Sequence, residues 1–171
     1  MTTELQNFIE THIEQIDENL FQELYDSMRG EFGYWDISGF TKMLYEAGID
    51  PLTYMHTVPK HFIVGDDSLV ELIIPEGIEL IDFEAVIACN NLKKVHLPYS
   101  LKRIDTSGFS GCYNIEELTI LNPKLEVGAA ALNVREFDSI YYNGTKNDFI
   151  NNFSYLYAPH VYCTDGELEN I

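Results

Sequence analysis

The chain has 171 residues, 46% hydrophobic and 13% aromatic, enough for one folded domain and too apolar for a disordered chain. Its 28 acids and 10 Lys or Arg leave a formal charge of −18. That argues against direct binding of nucleic acid or an anionic membrane, because phosphate contacts need clustered cations.

From the N-terminus, MTTELQNFIE carries neither a positive n-region nor an apolar h-region, and no apolar run reaches the ~18 residues of a membrane span. With three cysteines, the chain reads as cytoplasmic, with free thiols and no disulfide framework. Residues 1–57 hold 11 acids against 2 bases, and residues 58–171 hold 17 against 8, so the first segment is about twice as acidic per residue. It reads as helical. Leu5, Phe8, Ile9, His12, Ile13 and Ile16 form one stripe, with Thr2 or Thr3 as N-cap. Leu20, Phe21, Leu24, Tyr25 and Met28 continue a shifted stripe, which Gly30 and Gly33 interrupt. Ser38 is placed as the cap of a second helix, Phe40–Ala47, ended by Gly48. Asp50-Pro51 opens a short helix through about Met55.

From about residue 58 the chain repeats itself. At an offset of 23 residues, Leu69 meets Leu92, Leu72 meets Val95, Ile74 meets Leu97, Pro75 meets Pro98 and Ile78 meets Leu101. Ile81 then meets Ile104, Val86 meets Phe109, and Cys89 meets Cys112. A third copy keeps Ile115, Leu118, Ile120, Val127 and Leu132, but its turn at Asn122-Pro123 is slipped by one residue. A fourth keeps Phe137, Ile140 and Tyr142, and Val58 and Ile63 mark half a copy upstream. One unit of this length cannot bury its own apolar side, so the copies must stack and share a core.

Groups with catalytic or ligand chemistry are sparse. Cys89 and Cys112 fall one rung apart and read as small core hydrophobes, with a redox or metal pair as the sharper alternative. His160-x-x-Cys163 lacks the second pair a zinc site needs. His12, His56, His61, His96 and His160 show no ligand spacing. No GxSxG, HExxH or phosphate loop occurs, and Asn143-Gly144-Thr145-Lys146 reads as a turn. We therefore expect no enzyme activity, no cofactor and no metal.

Lys93, Lys94, Lys102 and Arg103 cluster in the second full repeat. The register sets Lys94 between Glu71 and Glu117, and Lys102 between Glu79 and Glu126, as a cross-strand charge ladder. The outward positions of the first strand of each copy are Val70, Glu71 and Ile73; Lys93, Lys94 and His96; Glu116, Glu117 and Thr119; and Asp138, Ser139 and Tyr141. Within them, Ile73, Lys94, His96, Glu117, Thr119 and Tyr141 are the candidate protein-binding surface. The alternative surface is the acidic leader, where Glu10, Glu14, Asp17 and Glu18 would imitate nucleic-acid phosphates for a basic partner.

The pattern of Leu92, Val95, Leu97, Pro98, Leu101, Ile104, Phe109, Cys112 and Ile115 resembles the BspA-type leucine-rich repeat. Ile140–Phe149 with Val161–Gly166 is similar to the segment that closes such arrays. Ala47–Ile63 is similar to helical leaders of short bacterial and phage-encoded proteins. The resemblance implies an α+β fold: a short leucine-rich-repeat β-solenoid of three to four repeats of about 23 residues behind a helical N-terminal cap. The segments expected are a cap at 1–57, repeats at 58–142 and a C-terminal capping segment at 143–171, with Tyr155, Tyr157 and Tyr162 shielding the last rung. The function implied is a non-enzymatic protein-binding module. The rivals are an acidic inhibitor of a basic host protein such as a defence nuclease, and a surface adhesin or self-assembling structural protein.

Overall fold

The computed structural model describes Asn7, Thr11 and residues 15–31 and 34–169. The stripe expected over Leu5, Phe8, Ile9, His12 and Ile13 lies outside the described residues, as do Glu10 and Glu14. The leader supplies α1 (Glu18–Glu31), α2 (Tyr34–Glu46) and a 3-10 turn (Pro51–Tyr54). Asp17 starts α1 by accepting the Leu20 N–H at 2.9 Å. Gly30 does not break α1, which runs through to Glu31.

The second helix departs from the sequence expectation at its start. α2 begins at Tyr34, upstream of Ser38, so Ser38 is no cap; its Oγ instead accepts the Val64 N–H at 3.1 Å and ties α2 to the repeats. The end is as expected: Gly48 takes φ +77° and the Ile49 N–H returns to the Leu44 carbonyl at 2.9 Å. Asp50 caps the 3-10 turn through the Leu52 N–H, with Pro51 behind it. Phe21, Leu24, Tyr25, Ile37, Phe40 and Leu44 form a small core of their own, in which Phe21 stacks on Phe40 and Tyr54. Met55 packs against both this cluster and the solenoid core, joining the two.

The repeats wind as a three-sided β-solenoid. Its strands are β1 (Thr57–Val58), β2 (Ile63–Val64), β3 (Glu71–Ile73), β4 (Leu80–Ile81), β5 (Val86–Ile87), β6 (Lys94–Leu97), β7 (Arg103–Ile104), β8 (Glu117–Ile120), β9 (Glu126–Val127), β10 (Ser139–Tyr142), β11 (His160–Cys163) and β12 (Gly166–Glu169). One side is the sheet β3-β6-β8-β10-β11, five parallel rungs, closed by β12 running antiparallel to β11. The second side is β1-β4-β7-β9 and the third is β2-β5. Partners along each ladder mostly sit one full repeat apart, as stacking of identical units demands. Inward positions stack into continuous rows such as Leu72, Val95, Leu118, Ile140 and Val161, all buried.

The slip in the third copy is local. Leu101 and Leu125 are both buried but separated by one residue more than the repeat, yet Ile104 pairs with Val127 in the ordinary register. The extra residue in the turn is thus recovered before β9. This corrects the charge ladder: Lys102 bonds Glu79 at 2.8 Å, and Arg103, not Lys102, reaches Glu126 at 3.5 Å.

The turns repeat as faithfully as the strands. His61, Glu84, Ser107 and Ala130 hold the same position in successive coils, and all take φ between 51° and 59°. Gly65, Ala88 and Gly111 form a second left-handed series. Ala88 is the one Cβ-bearing member, held at φ 53° where such residues cost about 1–2 kcal/mol. Ala88→Gly is expected to raise unfolding free energy by roughly 0.5–1 kcal/mol after the greater chain entropy of glycine is subtracted, as read by urea titration.

Polar side chains stitch one coil to the next. Asn91 Nδ2 donates to the Asp67 carbonyl (2.7 Å), and Asn114 repeats this on Asn90 (2.8 Å). The Glu76 carboxylate accepts both the Tyr99 and Ser100 N–H groups at 2.8 and 3.0 Å. Those backbone donors, the Tyr99 N–H first, hold the Glu76 carboxyl below its ordinary range. A folded-state value below the unfolded one of about 4.3 means this stabilisation is full above that pH and is lost as pH falls through the folded value. Glu76→Gln is therefore expected to melt lower than wild type at neutral pH and to converge with it as pH falls through the folded value, in paired thermal melts.

The C-terminal segment contains α3 (Lys146–Phe153), a helix not named in the reading of the sequence, directly after the turn at Asn143-Gly144. Thr145 and Asp148 form a reciprocal capping box, a signal present in the sequence as Thr-x-x-Asp. Phe149 and Phe153 are buried edge-on to Tyr142, at 5.3 and 5.5 Å. These phenylalanines, with Leu156, fill the C-terminal end of the solenoid core. Tyr155, Tyr157 and Tyr162, expected to shield the last rung, are 54%, 62% and 39% exposed instead.

Candidate functional site

Every sequence-predicted residue of the strand face lands on the outer side of the five-rung sheet. The ladder fixes two outward rows. One runs Glu71, Lys94, Glu117, Ser139, His160; the other runs Ile73, His96, Thr119, Tyr141, Tyr162. Period-2 alternation turns these outward while Leu72, Val95, Leu118, Ile140 and Val161 between them face the core.

The polar groups in the middle of this face neutralise one another. Lys93 pairs with Glu116, and Lys94 with Glu117 at 2.8 Å. Lys94 lies between Glu71 and Glu117 in the register as expected, but bonds only the latter; Glu71 takes His96 Nε2 at 2.9 Å. The hydrogen bond that Lys94 donates to the Glu117 carboxylate, and that carboxylate's charge, hold the Lys94 ammonium above its ordinary range. The four cations of the second repeat are thus matched by neighbouring carboxylates and make no anion site.

Both ends of the face are less polar. At the β3 end, Val70 and Ile73 are 54% and 60% exposed. At the β11 end, Tyr141 and Tyr162 stack at 5.0 Å, and His160 bonds Glu167 at 2.7 Å. Tyr162 and His160 belong to the face but were not among the sequence candidates, because β11 follows α3 and falls outside the repeat register.

The other candidates separate from this face. Of the acidic-leader group only Asp17 and Glu18 fall within the described residues. Both are exposed, and Asp17 serves as the α1 cap. Cys89 and Cys112 are buried one rung apart, and the Cys112 thiol beside Cys89, with burial, pushes the Cys89 thiol up, away from a reactive thiolate. No grouping of three or more His, Cys, Asp or Glu suited to a metal occurs among the described residues. A concavity of about 300 Å³ between α2 and the first coil is lined by Ser38, Thr41, Lys42, Tyr45, Phe62 and residues 63–68. No described helix is long and apolar enough to cross a membrane.

Searches of curated proteins and of solved structures find no match to the chain. The family described as BspA type leucine rich repeat region (6 copies) matches residues 57–158, more than half of the sequence. Stacked coils of nearly constant length, inward Leu/Ile rows and buried cysteines agree with that match, and the chain belongs to the BspA-type leucine-rich repeat family.

Proposed function

We propose that this chain is a non-enzymatic protein-binding module whose contact surface is the outward face of the five-rung sheet. The observation that carries the reading is the in-register row Ile73, His96, Thr119, Tyr141, Tyr162, with exposed apolar and aromatic groups at its ends. Extended stacked faces of this kind are the binding surfaces of solenoid proteins. In this reading residues 1–57 cap the first coil and residues 143–171 close the last, leaving the face between them for the partner, which is another protein.

The charge supports a second reading. A net −18 concentrated toward the leader would draw a basic, nucleic-acid-binding partner over long range, as an inhibitor imitating phosphate would. Salt separates the two, since exposed charges are screened beyond about 10 Å at 0.1 M. The test is affinity capture from a host lysate at about 0.1 and 0.5 M salt, using wild type and the triple variant Ile73→Ala, His96→Ala, Tyr141→Ala. A partner kept at high salt and lost by the variant is the expected result. A basic partner lost at high salt and indifferent to the variant overturns the face reading in favour of the leader. Turnover of a substrate abolished by one polar substitution overturns both.

A further inference from the structure

The two ends of the five-rung sheet are finished differently. At the C-terminal end, β12 folds back antiparallel on β11 and adds Glu167 to its rim. At the N-terminal end, the described part of the leader meets the first coil at β2. α2 packs on β2, and Ser38 takes the Val64 N–H. β3 has no such cover among the described residues: it ends its sheet with no strand on its outer side.

The hydrogen bonds show which groups that leaves open. The Val70 carbonyl accepts from Lys93 and Lys94 N–H groups, and the Ile74 N–H donates to the His96 carbonyl. In a parallel ladder the alternate residues, Glu71 and Ile73, then direct their N–H and C=O away from β6. Among the described residues, two donors and two acceptors without a backbone partner thus line the edge, flanked by the exposed side chains of Val70 and Ile73. Such an edge is a template for one more strand.

Charge says what kind of strand. From residue 61 to residue 92 the chain has seven acids and no Lys or Arg. Asp66 bonds Ser68, Asp67 bonds Asn90, and Glu76 bonds two backbone N–H groups, all neutral partners that leave each carboxylate its charge. A second copy of this chain would bring its own net −18 against this coil. We propose that the outer edge of β3 accepts an extended, Lys/Arg-rich segment of a partner protein as an added strand, its apolar residues on Val70 and Ile73 and its cations toward the acids of the first coil. The proposal rests on the protein-binding reading and extends it from the face to the edge.

The probe is a labelled peptide of about nine alternating Lys and Val residues, with a twin N-methylated at alternate residues that keeps the charge and loses strand pairing. Full-length protein at about 0.15 M salt is expected to bind the first at least about tenfold more tightly than the twin. Ile73→Pro removes an outward N–H together with the Ile73 side chain and is expected to weaken binding about tenfold. Val70→Lys, which leaves the backbone unchanged and adds a repelling charge, is expected to do the same with an unaltered melt. Ile150→Ala, exposed on α3 at the far end of the solenoid and outside the strand face, is expected to leave peptide binding unchanged. Equal affinity for the two peptides, no binding, or indifference to both Val70→Lys and Ile73→Pro overturns the proposal. Binding that Tyr141→Ala abolishes and Val70→Lys spares overturns the edge and leaves the face reading standing. Wild-type dimers that Val70→Lys dissolves overturn the choice of occupant.

Discussion

Phe109→Ala is expected to cost about 3–5 kcal/mol of folding free energy, the largest single loss of any substitution considered, and to lower the melting temperature by roughly 10–15 °C. Phe109 is 1% exposed and occupies the repeat position held by Val86 one coil below and Leu132 one coil above. Its N–H donates to the Ala131 carbonyl at 2.9 Å, so the ring is fixed on a backbone already bonded to the next coil. In a solenoid each coil rests only on its neighbours, and a void here loosens two interfaces at once. The same position allows an internal comparison. Val86→Ala removes two methyl groups where Phe109→Ala removes a ring, and its expected cost is about 2 kcal/mol. Urea titrations of both variants, followed by far-ultraviolet circular dichroism, check the ratio. Equal costs at the two positions would mean that the coils do not share one continuous core.

Gly128→Ala is expected to destabilise by about 3 kcal/mol, more than a methyl group normally costs, because the obstacle is backbone. A Cβ at Gly128 would stand 2.6 Å from the Thr106 nitrogen, 2.9 Å from the Asp105 carbonyl carbon and 3.1 Å from the Ile104 oxygen. Those atoms belong to the coil below, and the Gly128 N–H donates to that same Ile104 carbonyl at 2.8 Å. No rotamer change relieves such a contact; the coils must separate or the hydrogen bond must lengthen. The equivalent residue one coil earlier is Asp105, which carries a Cβ, so the requirement belongs to this coil and not to the repeat. It follows the stretch where Leu125 and Val127 stand one residue closer in sequence than Leu101 and Ile104. Gly39→Ala is the matched control: nothing lies within 4 Å of its added Cβ inside α2, and a gain of about 0.5–1 kcal/mol is expected from helix propensity. Thermal melts that moved both variants in the same direction would contradict the close approach at Gly128.

Much of the fold is readable in the residues because a solenoid is nearly one-dimensional. A constant repeat offset states which side chains will lie above one another, and the inward rows through Leu72, Ile81 and Val86 follow from it directly. The candidate face was readable for the same reason: its residues are the alternate positions of a strand whose inward partners are known. The misses lie where spacing stops carrying the information. Ser38 has the composition of a helix cap, but its role depends on Val64, remote in sequence and adjacent in space. Tyr155 and Tyr157 look like a hydrophobic lid, yet Phe149 and Phe153 of α3 fill the C-terminal end of the core instead. Tyr162 joins Tyr141 only because a helix-containing excursion of another length returns the chain to the same sheet.

By itself the sequence determined the repeat length, the inward and outward sets of each coil, the absence of nucleophile and phosphate-loop motifs, and the acidity of the first coil, because each depends on composition or on spacing within one chain period. Only the tertiary structure decided which cation meets which carboxylate, where the third coil recovers its slipped residue, and which coil needs a glycine for backbone clearance. It also decided that the leader meets the edge of β2 and leaves that of β3 open among the described residues. Those outcomes rest on distances between segments remote in sequence, set by how coils and helices settle against one another under close packing, and no periodicity encodes them.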